Sequence, residues 1–272
     1  PAVRLSKRLI TALPAPLEQV YLTNSGTEAI EGALKMAKRY TGRQELIGAV
    51  NSYHGSTHGS LSLTGYEGIK EGYGPLLPKV DFIRFNALED LEKITTKTAA
   101  VILETIQGGA GFIKPDPGYL EAVKERCQAK GALLILDEIQ PGFGRTGKLF
   151  AFMHSRIVPD ILVIGKGMGG GLPVGAFVSS KAIMECLTDQ PKLGHITTFG
   201  GNPLIAAASE ATLNTLLDTS LMSQIAQKEI LFRSLLKHPK IRQVNGTGLM
   251  LAPVFESPEI ANQVVLKCLD KG

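Results

Sequence analysis

Cysteine is scarce in this sequence: Cys127, Cys186 and Cys268 are the only three in 272 residues, odd in number, far apart and without C-x-x-C spacing. That pattern speaks against a disulfide framework and a thiolate zinc site, and it fits a reducing compartment. Long apolar runs are missing too. None approaches the length that spans a bilayer, and the start lacks the charged-then-apolar pattern of a secretory leader. The expected location is the cytoplasm, with no membrane partner. Charge of one sign is nowhere concentrated: the net charge is +4 with 20% charged residues and no block of like charges, so nucleic acid is not an expected partner either. There is no internal repeat and no low-complexity tract. What is present is 44% hydrophobic residues, ordinary for a globular chain able to close a large core. The first residue is Pro1 rather than Met, and the closing "ANQVVLKCLDKG" reads as a helix stopped by Gly272, so both ends are expected to be cuts from something longer.

Runs rich in Val, Ile and Leu, bounded by Gly, Pro or Asn, predict strands at "EQVYLT", "ELIGAV", "VDFIRF", "AAVILET", "ALLILD", "DILVIG" and "GAFVSS". Between several of them lie segments of helical period closed by glycine, such as "TEAIEGALKMAKRYTG" and "GYLEAVKERCQAKG". Such alternation predicts an α/β fold, a mostly parallel sheet covered by helices on both faces, with ligands beyond the carboxyl ends of the strands. After Asn202 the pattern changes to two long helical segments, "PLIAAASEATLNTLLD" and "SLMSQIAQKEILFRSLLKH", then a strand-like "GLMLAPVF" and a final helix. The expected division is a large domain over residues 1–215 and, over 216–272, a linking helix and the start of a smaller C-terminal α+β domain.

Four stretches carry candidate chemistry. In "ALLILDEIQPGFGRTG" an aliphatic strand runs into Asp137 and Glu138, which also describes the magnesium-holding strand of a P-loop ATPase. The partner motif fails, because the run from Gly142 to Lys148 is followed by Leu149 instead of a hydroxyl and does not join a strand to a helix. An Asp capping a turn is the plainer alternative. In "DILVIGKGMGGGLPVGA" Lys166 stands just past a strand in a glycine-rich turn; a surface lysine is the plain reading, while a lysine near apolar surroundings loses its proton more readily and attacks carbonyls. In "YLTNSGTEAIEG", Asn24, Ser25, Gly26 and Thr27 lie between a strand and a first helical turn, suited to simple N-capping or to phosphate. In "NSYHGSTHGS", Tyr53 precedes His54 and Gly55 and is placed to cover a planar ring or to sit at a core edge. His54 and His58 lack the glutamate of a zinc motif, so no metal is expected.

A phosphate cradle, an aldehyde-accepting lysine, a carboxylate for a ring nitrogen and an aromatic cover are together what pyridoxal 5'-phosphate needs. Asp137 would then face a pyridinium, the charge that makes a buried carboxylate tolerable. The ordered stretches "TNSGTEAIEGALKMAKRYTGR", "YHGSTHGSLSLTG", "ETIQGGAGF", "LLILDEIQPGFGRTG", "PDILVIGKGMGGGLPVGA" and "HITTFGGNP" resemble the class III pyridoxal-phosphate aminotransferases, the group of the ornithine, acetylornithine, 4-aminobutyrate and putrescine enzymes, across residues 18 to 255. The resemblance implies a fold-type-I transferase in which Lys166 forms the Schiff base with the cofactor and shuttles the proton, and Asp137 holds the pyridinium. It further implies Ile139 and Tyr53 on the two ring faces, Gln140 at the ring hydroxyl, Ser25, Gly26 and Thr27 at the phosphate, and His54 and Gly55 in the same shell. Glu104 matches a family glutamate that orients Asp137's surroundings or the substrate amine. Thr198 would reach the phosphate of a neighbouring subunit in a homodimer. The implied reaction takes an amino group from a donor to an oxo acid, typically 2-oxoglutarate, with ping-pong kinetics.

Two positions depart from the family pattern and bear on the substrate. Ser56 stands where amino-acid-specific members carry an arginine that grips a carboxylate, and a serine cannot make that forked, charged contact. Gly109 stands where ornithine-type members carry a gating glutamate. Acetylornithine or ornithine is the expected donor from the overall resemblance, while Ser56 suits putrescine or another donor without an α-carboxylate. An aminomutase or a decarboxylase would share the same cradle and Lys166, and an inactive fragment that does not build the site is a separate alternative, since both ends are expected to be cuts.

Overall fold

The computed structural model describes residues 1–188 and 191–271. Each of the seven aliphatic runs forms a strand: β1 Gln19–Thr23, β2 Glu45–Ala49, β3 Val80–Ile83, β4 Thr98–Glu104, β5 Leu133–Asp137, β6 Ile161–Gly165 and β7 Gly175–Ser179, followed by β8 Ile241–Thr247 and β9 Met250–Phe255. The helices are α1 Ala2–Thr11, α2 Gly26–Thr41, α3 His58–Leu63, α4 Tyr119–Lys130, α5 Lys181–Met184, α6 Pro203–Asp218, α7 Ile225–Leu235 and α8 Pro258–Leu269. Gly272, the expected stop of the last helix, lies outside the described residues, and α8 already ends at Leu269.

The main sheet has the order β1-β7-β6-β5-β4-β2-β3. Strands β3, β2, β4, β5 and β6 pair in parallel, whereas β7 runs antiparallel to both β6 and β1. The reason lies in the connection: residues 166–174 between β6 and β7 are too few for the dozen or so residues of a parallel crossover, so the chain turns and comes straight back. Every residue of β4, β5, β6 and β7 is buried, as expected of central strands covered on both faces. Their alternation divides the core. Val101, Leu103, Leu134, Leu136, Leu162 and Ile164 pack with Leu5 and Leu9 of α1, while Ala100, Ile102, Ile135, Ile161, Val163 and Phe177 pack on the other face with Ile30, Ala33 and Ala37 of α2.

Several elements are not marked in the sequence: the short helices α3 and α5, the first helix and one strand of the terminal hairpin. Helix α1 buries Leu5 and Leu9, one turn apart, and lies against α6 through Arg4 to Glu210 at 2.9 Å and Arg8 to Asp218. Strand β8 carries the polar Arg242, Gln243 and Asn245 and pairs antiparallel with β9 across a register shift, which hides its alternation. The second long helical segment is also shorter than its period predicts, because Met222–Gln224 is a 3-10 turn and only Ile225–Leu235 is α-helical. The division placed at 215/216 falls within the last turn of α6. Among the described residues no helix is long and apolar enough to cross a membrane, and no group of three or more His, Cys, Asp or Glu is gathered for a metal ion.

Candidate active site

Parallel order brings the ends of β2, β4, β5 and β6 to one edge of the sheet, and β1, two antiparallel pairings away from β6, ends there as well. The motif residues follow these ends directly. Asp137 closes β5 beside Glu104, its register partner at the end of β4. Asp137 is buried; its Oδ1 accepts the Ile139 amide at 2.9 Å and its Oδ2 lies 2.8 Å from Nδ1 of buried His54. A carboxylate only accepts, so that His54 nitrogen carries the proton. The other ring nitrogen, Nε2, is buried without a hydrogen-bond partner.

Lys166 is the first residue after β6. Its φ of +42° is a left-handed conformation that a residue with a Cβ seldom adopts, imposed by the short return to β7. Strain held at such a position is a mark of functional sites. The side chain is exposed and opens, with Asp137, onto a cleft of about 240 Å³ that Gly26, Thr27, Tyr53, His54, Gly55, Ser56, Glu104, Ile139, Gln140 and Pro141 also line. Pro141 has no place in the sequence reading; its proximity to Gln140 was the available signal. A larger cleft of about 940 Å³ lies between β8 and the Phe112–Gly118 loop, but neither Lys166 nor Asp137 reaches it, and the chemistry of the lining outweighs size.

Three predicted site residues are not part of this lining, although Ser25 adjoins Gly26 and Gly109 lies beside Tyr53. Ser25 is the N-cap of α2, its hydroxyl accepting the Glu28 amide at 3.3 Å. A Cβ on Gly109 would lie 3.2 Å from the Asn51 carbonyl, outside the lining. Thr198 is exposed in a separate recess of about 490 Å³ beside Thr23, Asn24 and Glu28. Thr27 does line the cleft, fixed by hydroxyl contacts of 2.7 Å to both Thr57 and Ser60. Those two partners sit in the quoted "YHGSTHGS" and went unassigned in the sequence.

The lining suits pyridoxal phosphate. Lys166 offers a primary amine, Asp137 an anchored carboxylate, Tyr53 and Ile139 flat or apolar surfaces, and the first turn of α2 its amides and positive dipole end. The cradle is tight where backbone must approach a ligand. A Cβ on Gly26 would stand 2.7 Å from Ile139 Cδ1, and one on Gly55, whose φ is +129°, would stand 2.4 Å from the Thr27 hydroxyl.

Glu138, the other half of the acidic pair, points away from this chemistry. It is fully buried and accepts the amides of Ala151 and Phe152 at 2.9 and 2.7 Å, tying the turn after β5 to a 3-10 helix. Burial pushes its carboxyl up to about 7, against the pull of those amides. A carboxyl raised in the folded state contributes stability that is fully present below the unfolded value near 4.5 and is lost as pH rises through about 7. We therefore expect Glu138→Gln to flatten the fall in unfolding free energy across that window, read from urea titrations, by on the order of 3 kcal/mol. An unchanged slope would show that Glu138 does not titrate there.

The family described as Aminotransferase class-III matches residues 1–272. The chain is 40% identical over 257 residues to a [LysW]-aminoadipate semialdehyde/glutamate semialdehyde transaminase of Sulfurisphaera tokodaii, covering 93% of this chain and 66% of that protein. It is 44% identical over 243 residues to the transaminase of the same description from Sulfolobus acidocaldarius, covering 88% and 62%. The chain thus spans a little under two thirds of these curated relatives. Among solved structures it is similar to ornithine aminotransferase of Toxoplasma gondii, crystallized with partial occupancy of PLP at its active site, with a TM-score of 0.90, 33% identity, and coverage of 100% of this chain and 67% of that one. Class III aminotransferases depend on pyridoxal phosphate and pair an amino donor with an oxo-acid acceptor. With its mostly parallel α/β sheet of fold-type-I architecture and a family match running its whole length, the chain belongs to the class III aminotransferases.

Proposed function

We propose that this chain builds the cofactor site of a pyridoxal-phosphate aminotransferase that takes the amino group from a terminal carbon, acetylornithine or ornithine foremost, to 2-oxoglutarate. The observation that carries the reading is that Lys166 and Asp137, from different strand ends, open onto one small cleft. The names of the two curated relatives support a terminal amine, since transaminases of semialdehydes work at a terminal aldehyde carbon.

When bound, pyridoxal phosphate supplies an aldehyde that condenses with amines and a ring that draws electron density from the attached carbon. Lys166 holds the amine in the cleft and, as its base, moves the proton at the donor carbon. Asp137, itself held by His54 and the Ile139 amide, would keep a proton at the ring nitrogen. Gly26 and Thr27 would hold the phosphate at the head of α2, Tyr53 and Ile139 would flank the ring, and Gln140 would meet its hydroxyl. Thr198, exposed and outside its own cleft, is assigned to the phosphate of a partner copy in a homodimer.

A second donor class is favoured by one contact. Ser56 presents its hydroxyl 3.2 Å from that of Tyr53, two neutral groups where an arginine would grip a carboxylate. Putrescine and other diamines fit such a wall. Screening donors by loss of the yellow absorbance, with recovery on adding 2-oxoglutarate, tests both. Terminal amines are expected to react; reaction confined to α-amines would overturn the reading, and turnover without any oxo acid would point to an aminomutase or decarboxylase.

A further inference from the structure

Glu104 takes no part in the chemistry above, yet it joins two of the loops that shape the cleft. It is the last residue of β4 and only 5% exposed. Oε2 accepts the Tyr53 amide at 3.1 Å, from the loop after β2, and Oε1 accepts the Gly108 amide at 2.9 Å, from the turn after β4. Gly108 in turn packs directly on Gln140: a Cβ there would stand 2.2 Å from Gln140 Oε1. One side chain therefore sets Tyr53 and, through Gly108, Gln140.

Both of its partners are N–H donors. An ionised carboxylate satisfies both at once, whereas a carboxylic acid must place its own proton and keeps one good acceptor, so protonation gives up one of the two ties. The titratable groups facing Glu104 are His54 from the loop after β2 and Asp137 from β5; the turns contribute only the Tyr53 and Gly108 amides and the neutral Gln140.

We propose that Glu104 is a positioning residue, a proton-operated clasp whose ionised form holds the Tyr53 loop and the Gly108 turn in register around the cofactor cleft. Burial pushes this carboxyl up to about 7, with His54 opposing and Asp137 adding to the push, while the Gly108 and Tyr53 amides pull it down; giving up a tie with Glu104 still buried therefore raises it further, and ionisation as pH rises through neutrality favours the tied state. The idea rests on the cofactor reading only for its second readout.

The first readout is hydrogen exchange at the Tyr53 and Gly108 amides of the protein without cofactor, corrected for intrinsic rates. Protection is expected to rise about tenfold as pH climbs through neutrality. Glu104→Gln, which offers a single acceptor and does not titrate, is expected to exchange fast at every pH. The second readout is the dissociation constant for pyridoxal phosphate, measured by absorbance. The wild-type protein is expected to gain about tenfold over the Gln variant across the same step. Wild-type protection without a pH step, or the same step in the Gln variant, would overturn the proposal. If the variant does not fold, the wild-type exchange profile decides alone. No pyridoxal phosphate binding at any pH, with the exchange step intact, would sink the cofactor reading and leave the clasp standing.

Discussion

Lys166→Ala is expected to lower transamination by at least about a thousandfold while leaving the fold intact. The side chain is exposed in the cleft and packs into no core, so its loss removes little buried surface. The backbone is equally undisturbed, because alanine retains a Cβ and so inherits the same left-handed strain at φ +42°. What disappears is the primary amine; among the described residues lining the cleft no other is present. Lys166→Arg sharpens the test, since it preserves the positive charge but not a group that condenses with an aldehyde. Both variants should lose activity together, and borohydride treatment with pyridoxal phosphate should label the Lys166 peptide in the parent protein alone. Near-normal turnover in either variant would remove Lys166 from the reaction.

Asp137→Ala is the second large effect, and it has two parts. If its charge holds a proton at a ring nitrogen, removal should raise the barrier by on the order of 3 to 5 kcal/mol, at about 1.4 kcal/mol per tenfold in rate. The same change strips acceptors from the His54 Nδ1–H and the Ile139 amide, and His54 already has its other ring nitrogen unpartnered. Each buried donor left unmet costs about 1–3 kcal/mol of stability. Asp137→Asn separates the parts, because it keeps the shape and one acceptor oxygen but carries no charge. Its melting temperature should lie well above that of the alanine variant while its rate stays low. An asparagine variant with the parent rate would mean that the negative charge is not used.

Legibility of the fold followed the locality of the signal. The strands at "AAVILET", "ALLILD" and "DILVIG" are unbroken aliphatic runs whose every residue is buried, and α2 and α4 each end at a glycine, so short windows sufficed for them. Where burial is partial the signal weakens. Strand β8 exposes Arg242 and Gln243 and slips register there, and α1 shows only two buried leucines. The direction of β7 was also beyond a strand-by-strand reading, although the nine-residue connection at 166–174 contains the information once crossover length is considered.

The site divided in the same way. Residue type and placement just past a strand are local properties, and they singled out Lys166, Asp137, Tyr53 and Gly26 as candidates, which the fold brings to one cleft. Distances between loops are not local. That His54 turns onto Asp137 and that Glu104 reaches back to Tyr53 and forward to Gly108 follow from the order of strands in the sheet. Sequence alone settled which chemical groups this protein carries at its strand ends and the layered α/β scaffold beneath them, because side-chain chemistry and hydrophobic period are written along the chain. Tertiary structure decided which of those groups share one small volume, because hydrogen bonds act over about 3 Å and only packing brings residues far apart in the chain within that reach.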